Sequence, residues 1–145
     1  MDASQIVEEP FPARSKVATG PIDGVPTEAS VLHFSDKILI TLSQEGRLSQ
    51  WIQVPLSAPS SATVDMALSN PSLLPMSHLT PKTLLGGGGE ERESLAQLYA
   101  VQIASHIARR NSDEQRTLVV GLGLKTLKPD REAFFDVIEL IQKVL

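Results

Sequence analysis

The clearest pattern of apolar and polar positions lies in residues 24–54, where three strand-like runs are separated by two turn signals. The runs cover residues 27–34, 37–43 and 48–54. The second turn signal ends at Gly46, and glycine reaches the positive φ that tight hairpins need. In the middle run, Ile-Leu-Ile at residues 38–40 puts apolar side chains on both faces of a strand. We therefore predict a β-meander whose middle strand is covered on both sides.

The rest of the chain supplies three more strands and two helices. Further strand-like runs cover residues 14–19, 80–85 and 116–124. Between Glu90 and Arg110 the apolar residues follow a helical period, with acidic residues in the first turn and basic residues in the last, as the helix dipole favours. Pro129, followed by Asp130, is typical of a helix start and predicts a second helix that runs to the end of the chain.

The order of these elements, βββββαβα, is typical of an α+β domain rather than of alternating βαβ units. We predict a mainly antiparallel six-stranded sheet with two helices packed on one face. Two helices cover one face of such a sheet, so the other face either binds a partner or is hidden by curling of the sheet itself. The candidate partner-facing residues are Leu39, Thr41, Trp51, Leu118, Val120 and Leu122.

Two glycines in the last strand add a constraint. Gly121 and Gly123 alternate with apolar residues, so one face of that strand carries no side chain at either position. Glycine in a strand interior often marks a close approach of another group to the backbone. We expect a helix or a neighbouring subunit to lie against this face.

The chain of 145 residues is short enough for one domain, which we place at residues 14–145. Residues 1–13 have little periodicity and predict a flexible N-terminal tail. Residues 55–81 are rich in proline and serine and predict a long loop inserted in the domain. Loops of that length are uncommon in compact domains and are either functional or disordered.

Composition excludes several classes of function. The chain has no cysteine, which excludes disulfides, thiolate metal sites and cysteine nucleophiles and favours a reducing compartment, the cytoplasm or the nucleus. The start of the chain lacks a signal-peptide pattern, and no run reaches the roughly 20 apolar residues of a membrane span. The net charge is -4 and the 13 Lys and Arg residues are scattered, which argues against nucleic-acid binding.

Catalytic patterns are weak. The glycine run Gly86–Gly89 is followed by glutamates and by no Lys-Ser/Thr pair, so we interpret it as a linker rather than a phosphate loop. The histidines are His33, His78 and His106, and their spacing gives no metal-ligand pair. No GxSxG elbow is present, and we predict no catalytic residue, metal or cofactor. A triad assembled across the fold, as in a small hydrolase, stays open because triads are recognised by geometry.

Four segments together resemble the proteasome assembly chaperone 3 family. They are GVPTEASVLHFSDKILITLSQEGRL at 24–48, KTLLGG at 82–87, LAQLYAVQIASHIA at 95–108 and RTLVVGLGLK at 116–125. The most specific part is the opening Gly-Val-Pro-Thr at residues 24–27, followed by the two predicted hairpins. The resemblance covers the chain from about residue 14 to its end, and the insertion is longer than in the animal members of the family.

The resemblance implies a non-enzymatic chaperone that forms a heterodimer with a proteasome assembly chaperone 4-like protein. The family supports formation of the α-ring of the 20S core particle by binding its α subunits, and it leaves as β subunits join. An isolated chain could form a homodimer through the surface meant for its partner. The alternative interpretation is a scaffold subunit of another protein complex with a small α+β fold.

Overall fold

The computed structural model describes residues 14–57, 79–86, 88–125 and 130–145. The predicted tail, most of the predicted insertion and Pro129 lie outside the described residues. The elements are β1 (Arg14–Ile22), β2 (Val25–His33), β3 (Lys37–Gln44), β4 (Gln50–Pro55), β5 (Lys82–Leu85), α1 (Glu90–Arg110), β6 (Thr117–Gly123) and α2 (Arg131–Gln142). The predicted order βββββαβα is confirmed, and α1 has the predicted bounds.

The six strands form one sheet in the order β1-β2-β3-β6-β4-β5. All neighbouring pairs are antiparallel except β3 and β6, which are parallel. Helix α1 packs against β4, β5 and β6, and α2 packs against β1 and β2 on the same face. The prediction of an α+β fold with a mainly antiparallel six-stranded sheet and two helices is confirmed, with the refinement that the sheet is mixed.

The predicted β-meander is wrong, because β6 lies between β3 and β4. The turn signal itself works locally: Glu45 and Gly46 have φ of 57° and 69°, and the Arg47 amide donates to the Gln44 carbonyl at 3.2 Å. The chain then passes over the end of β6, where the Ser49 amide donates to the Leu122 carbonyl at 2.8 Å. Turn residues therefore set the reversal of the chain but not the identity of the neighbouring strand.

Strand β1 is longer than the predicted run of residues 14–19, because Gly20 and Pro21 do not end it. The strand continues to Ile22, and the turn is made by Asp23 and Gly24, with φ of 54° and 74°. Two consecutive residues at positive φ are the signature of the tight hairpin turn that Asp-Gly favours. The Asp23-Gly24 dipeptide is the turn signal that the sequence analysis missed.

The hydrophobic core lies between the sheet and the two helices. On the sheet side it is built from alternate residues of the central strands, which are Ile38, Ile40, Leu42, Ile52, Val54, Leu118, Val120 and Leu122. Helix α1 faces them with small side chains, Ala96, Ala100 and Ala104, which let the helix lie close to the sheet. The two helices meet at Tyr99 and Phe134, whose ring centroids are 5.0 Å apart.

Candidate protein-binding surface

The sheet face opposite the helices is not covered by any of the described residues. We call it the open sheet face and define it by Val17, Ser30, Leu32, Leu39, Thr41, Trp51, Gln53 and Val119. Val17 is 61% exposed, and the other side chains are partly exposed. The strand register aligns these residues in rows across the sheet, one of which runs through Ser30, Thr41 and Trp51. A partly apolar sheet face with no cover is a surface suited to protein binding.

The structure separates the six predicted partner-facing residues into two groups. Leu39, Thr41 and Trp51 lie on the open sheet face. The three residues of β6 point the other way, into the core, and Leu118, Val120 and Leu122 are at most 1% exposed. A strand alternates its side chains between two faces, and the helices cover the face to which these three belong. They are therefore out of reach of a partner in the folded chain.

The open sheet face also contains residues that the sequence analysis did not single out. Leu32 is the cross-strand neighbour of Leu39, and Val119 is its neighbour on the other side. This row of three aliphatic side chains lies in the middle of the open sheet face. Period-two alternation in β6 puts Val119 on the same face as the two glycines.

The predicted close approach to the β6 glycines is made by the chain itself, not by a helix or another subunit. The indole of Trp51 lies over Gly121, where a Cβ atom would be only 2.8 Å from the ring. At Gly123 the approaching group is backbone, because a Cβ there would be 1.6 Å from the Arg47 carbonyl oxygen. Trp51 thus fills the gap that Gly121 leaves, and it stays partly exposed on the open sheet face.

A polar cluster lies at the end of the sheet where β2 ends and β6 begins. Arg116 forms a two-pronged ion pair with Glu114, with Nε 2.8 Å from one carboxylate oxygen and Nη2 2.7 Å from the other. The hydrogen bonds from Arg116 lower the pKa of the Glu114 carboxyl from 4.5 to about 2. The same guanidinium lies 3.4 Å from Nδ1 of His33. Burial, and after it the charges of Arg116 and Arg14, lower the pKa of His33.

Replacing Glu114 with Gln should lower the free energy of unfolding at neutral pH by about 2 kcal/mol, because Arg116, whose side chain is 27% exposed, loses the carboxylate that accepts two of its hydrogen bonds. A depressed folded-state pKa stabilises the fold above the unfolded-state value, so this contribution is lost as the pH falls from about 4.5 to about 2. The free energies of unfolding of the wild type and of Glu114→Gln, measured by urea denaturation across this range, should converge at acid pH.

Glu45 offers the matched control. It pairs with Lys125, but both side chains are nearly half exposed. Surface pairs of this kind add little to stability, so Glu45→Gln should leave the unfolding curve unchanged. A gap between wild type and Glu114→Gln that stays constant with pH would contradict the assigned role of the carboxylate.

Catalytic and metal chemistry finds no support in the part of the chain that the structure describes. Neither His33 nor His106 is hydrogen-bonded there to a hydroxyl or a carboxylate, and the side-chain contact of His33 is with Arg116. His78 lies outside the described residues. Over the same ranges no group of three His, Cys, Asp or Glu residues is arranged to hold a metal ion. Of the helices described, none is long and apolar enough to cross a membrane.

Comparison with known proteins gives the family. The family model of proteasome assembly chaperone 3 matches residues 40–144, well over half of the chain. Among solved structures, one chain of a crystal structure of a chaperone complex for yeast 20S proteasome assembly is similar, with a TM-score of 0.64 and 17% sequence identity. The match covers 92% of this chain and 98% of that chain, and at this identity it shows a shared fold. A comparison with curated proteins gave no match. The family model, which spans β4, β5, β6, part of β3 and both helices, shows that the chain belongs to the proteasome assembly chaperone 3 family.

Proposed function

We propose that this chain is a non-enzymatic chaperone of 20S proteasome assembly. Membership of the proteasome assembly chaperone 3 family supports this function, as does the likeness of its fold to a chain of a chaperone complex for yeast 20S proteasome assembly. The observation that carries the proposal is the open sheet face, which offers a broad, partly apolar surface that none of the described residues covers. Such a surface is suited to holding another protein rather than to transforming a small molecule.

The partner that we propose for the open sheet face is a related chaperone, a proteasome assembly chaperone 4-like protein. Two sheets can pack face to face about 10 Å apart with their side chains interdigitated, and the aliphatic row of Leu32, Leu39 and Val119 suits the centre of such an interface. In the absence of that partner, the same face would pair with a second copy of this chain. The open sheet face thus binds the related chaperone where that protein is present and a second copy of this chain where it is not.

The heterodimer would bind 20S α subunits, support α-ring formation, and leave as β subunits join. Departure needs no chemistry, because an incoming subunit that competes for the same surface displaces a bound chaperone sterically. The contact with the ring then has to be strong enough to order α subunits and weak enough to be displaced. We propose that this activity takes place in the cytoplasm and the nucleus. These compartments are reducing, and a chain without cysteine needs no disulfide there.

Native mass spectrometry tests this function. This chain is co-expressed with a proteasome assembly chaperone 4-like protein and the α subunits, and the species that co-purify are weighed with and without β subunits. We expect a one-to-one heterodimer, alone and bound to α subunits, and its absence from the finished core particle. Recovery of this chain with an unrelated set of partners would overturn the proposal in favour of a scaffold in another complex.

A further inference from the structure

The open sheet face carries two neighbouring rows of unequal height. The aliphatic row crosses β2, β3 and β6. Two residues away along the same strands lies a lower row, formed by Ser30 on β2, Thr41 on β3 and the indole of Trp51 where it covers Gly121 on β6. We call it the low row. Because β3 and β6 are the two central strands, both rows run through the middle of the sheet.

Both rows can be covered by another protein without burying a charge. On the four inner strands their members are uncharged, and these are Leu32, Leu39, Val119 and Gln53 in one row and Ser30, Thr41, Gly121 and Trp51 in the other. The hydroxyls of Ser30 and Thr41 are hydrogen-bonded to each other at 2.5 Å. A hydroxyl that already has a partner costs less to remove from water than one without.

The heights of the two rows make the open sheet face complementary to itself. A two-fold axis that runs across the strands, midway between the rows, places the aliphatic row of one copy on the low row of the other. Leu39 then packs on Thr41 of the other copy, and Leu32 packs on Ser30. On β6, Val119 packs on the indole of the low row. Large side chains meet small or flat ones on each strand, which is the interdigitation that two packed sheets need.

A two-fold axis along the strands fits less well. Placed between β3 and β6, it would bring Leu39 of one copy against Val119 of the other, and Thr41 against Gly121. Large would meet large and small would meet small, so the sheets would touch at one row and leave a gap at the next. Gaps of that kind lose packing contacts, which disfavours this arrangement.

The area of the face is sufficient for a stable dimer. Six strands about 4.8 Å apart, each contributing about seven residues of 3.3 Å, span roughly 29 by 23 Å. Two copies would therefore cover about 1,300 Å² together, within the range of about 1,200–2,000 Å² that stable interfaces bury.

We propose that two copies of this chain pair through their open sheet faces about a two-fold axis that runs across the strands, with Leu39 of each copy packed on Thr41 of the other. The inference rests on the proposed function, since it gives the geometry of the pairing proposed there. A related chaperone that replaces the second copy meets the same two rows. It therefore has to offer a small side chain opposite Leu39 and a large one opposite Thr41.

Cross-linking tests the axis, because the chain has no cysteine of its own. Val17→Cys and Leu85→Cys each place one thiol at opposite edges of the sheet, at residues that are 61% and 67% exposed. In the proposed dimer β1 lies over β1 and β5 over β5, so each residue is about 12 Å from its own copy between Cα atoms. We expect a short bismaleimide linker to join each variant to itself at least ten times more than it joins Leu98→Cys, whose thiol lies on the helix side.

The rival axis gives the opposite pattern. It would place β1 over β5, so the two copies of Val17→Cys would be about 26 Å apart and only a mixture of Val17→Cys and Leu85→Cys would cross-link. That result would overturn the proposed geometry. Equal cross-linking of Leu98→Cys would overturn it too, because the linker would then report random collisions or a contact through the helices.

Substitutions that exchange the heights test the residue pairing. Thr41→Leu should raise the dissociation constant of the dimer at least tenfold in sedimentation equilibrium, since the new side chain meets Leu39 of the other copy. Leu39→Ala in the same chain should return it to within threefold of the wild type. Thr19→Leu makes the same change as Thr41→Leu on β1, outside the two rows, and should change it less than threefold. Circular dichroism checks that each variant is folded.

Equal effects of Thr41→Leu and Thr19→Leu, or no recovery with Leu39→Ala, would overturn the pairing. A wild type that stays monomeric at millimolar concentration would overturn the inference as a whole. It would leave the proposed function in place, because that function is tested with the related chaperone and the α subunits. Conversely, a dimer with the expected cross-links that binds no α subunit with its related chaperone would keep this geometry and remove the function.

Discussion

Gly123→Ala is expected to lower the free energy of unfolding by about 3 kcal/mol or more, which for a chain of this size is a fall in Tm of about 10 °C. A Cβ at this position would be 1.6 Å from the Arg47 carbonyl oxygen and 2.4 Å from its carbonyl carbon. Both atoms belong to backbone, so no side chain can rotate away to make room. The connection from β3 to β4 would have to lift off the end of β6.

Gly20→Ala is the matched control for this change. Gly20 is also a strand glycine with an ordinary backbone conformation, and a Cβ there would lie 3.5 Å from a methyl carbon of Leu140, which is normal packing. The control should change stability by less than about 1 kcal/mol, in either direction, because Ala also restricts the unfolded chain. Thermal and urea unfolding followed by circular dichroism measure both variants. Equal effects would show that the β3–β4 connection does not depend on the close approach.

This close approach also shows what the sequence could and could not predict. The glycines of β6 were correctly interpreted as points where another group lies against the backbone, because a strand glycine leaves a gap that packing has to fill. The identity of that group was missed. Trp51 covers Gly121 because β4 is the neighbour of β6, and this pairing joins residues about 70 positions apart in the chain.

Strand order is the part of the fold that local patterns did not determine. The Glu45–Gly46 turn was found from the sequence, since backbone conformation at a turn depends on the residues in it. Whether two strands that follow each other also pair depends on which other strand competes for the edge. Here β6 inserts beside β3 in parallel, with Ile38, Ile40 and Leu42 aligned with its three core residues.

The same dependence on strand pairing explains why only three of the six predicted partner-facing residues lie on the open sheet face. Alternation divides β6 into a face with Leu118, Val120 and Leu122 and a face with two glycines, but it does not tell which of the two faces meets the helices. Once β6 lies between β3 and β4, its register fixes Leu118, Val120 and Leu122 under α1. Leu39, Thr41 and Trp51 lie on the open sheet face because they alternate along β3 and β4 with the core residues of those strands.

Leu39→Glu is expected to lower the affinity for the proposed chaperone partner at least a hundredfold, about 2.7 kcal/mol, while the chain itself stays folded. Leu39 lies at the centre of the aliphatic row on the open sheet face, next to Leu32 and Val119. In the free chain a carboxylate there can still reach water. Against a second sheet it would be buried without a partner, and an unpaired buried charge is strongly unfavourable.

Leu98→Glu provides the same chemical change on the opposite side of the molecule, because Leu98 is 44% exposed on α1. It should change the affinity less than threefold. Thermal unfolding checks that both variants are folded. Isothermal titration calorimetry then measures the affinity of each purified variant for the separately purified partner. If Leu98→Glu weakens binding and Leu39→Glu does not, the partner docks on the helices, and the open sheet face must then serve another contact.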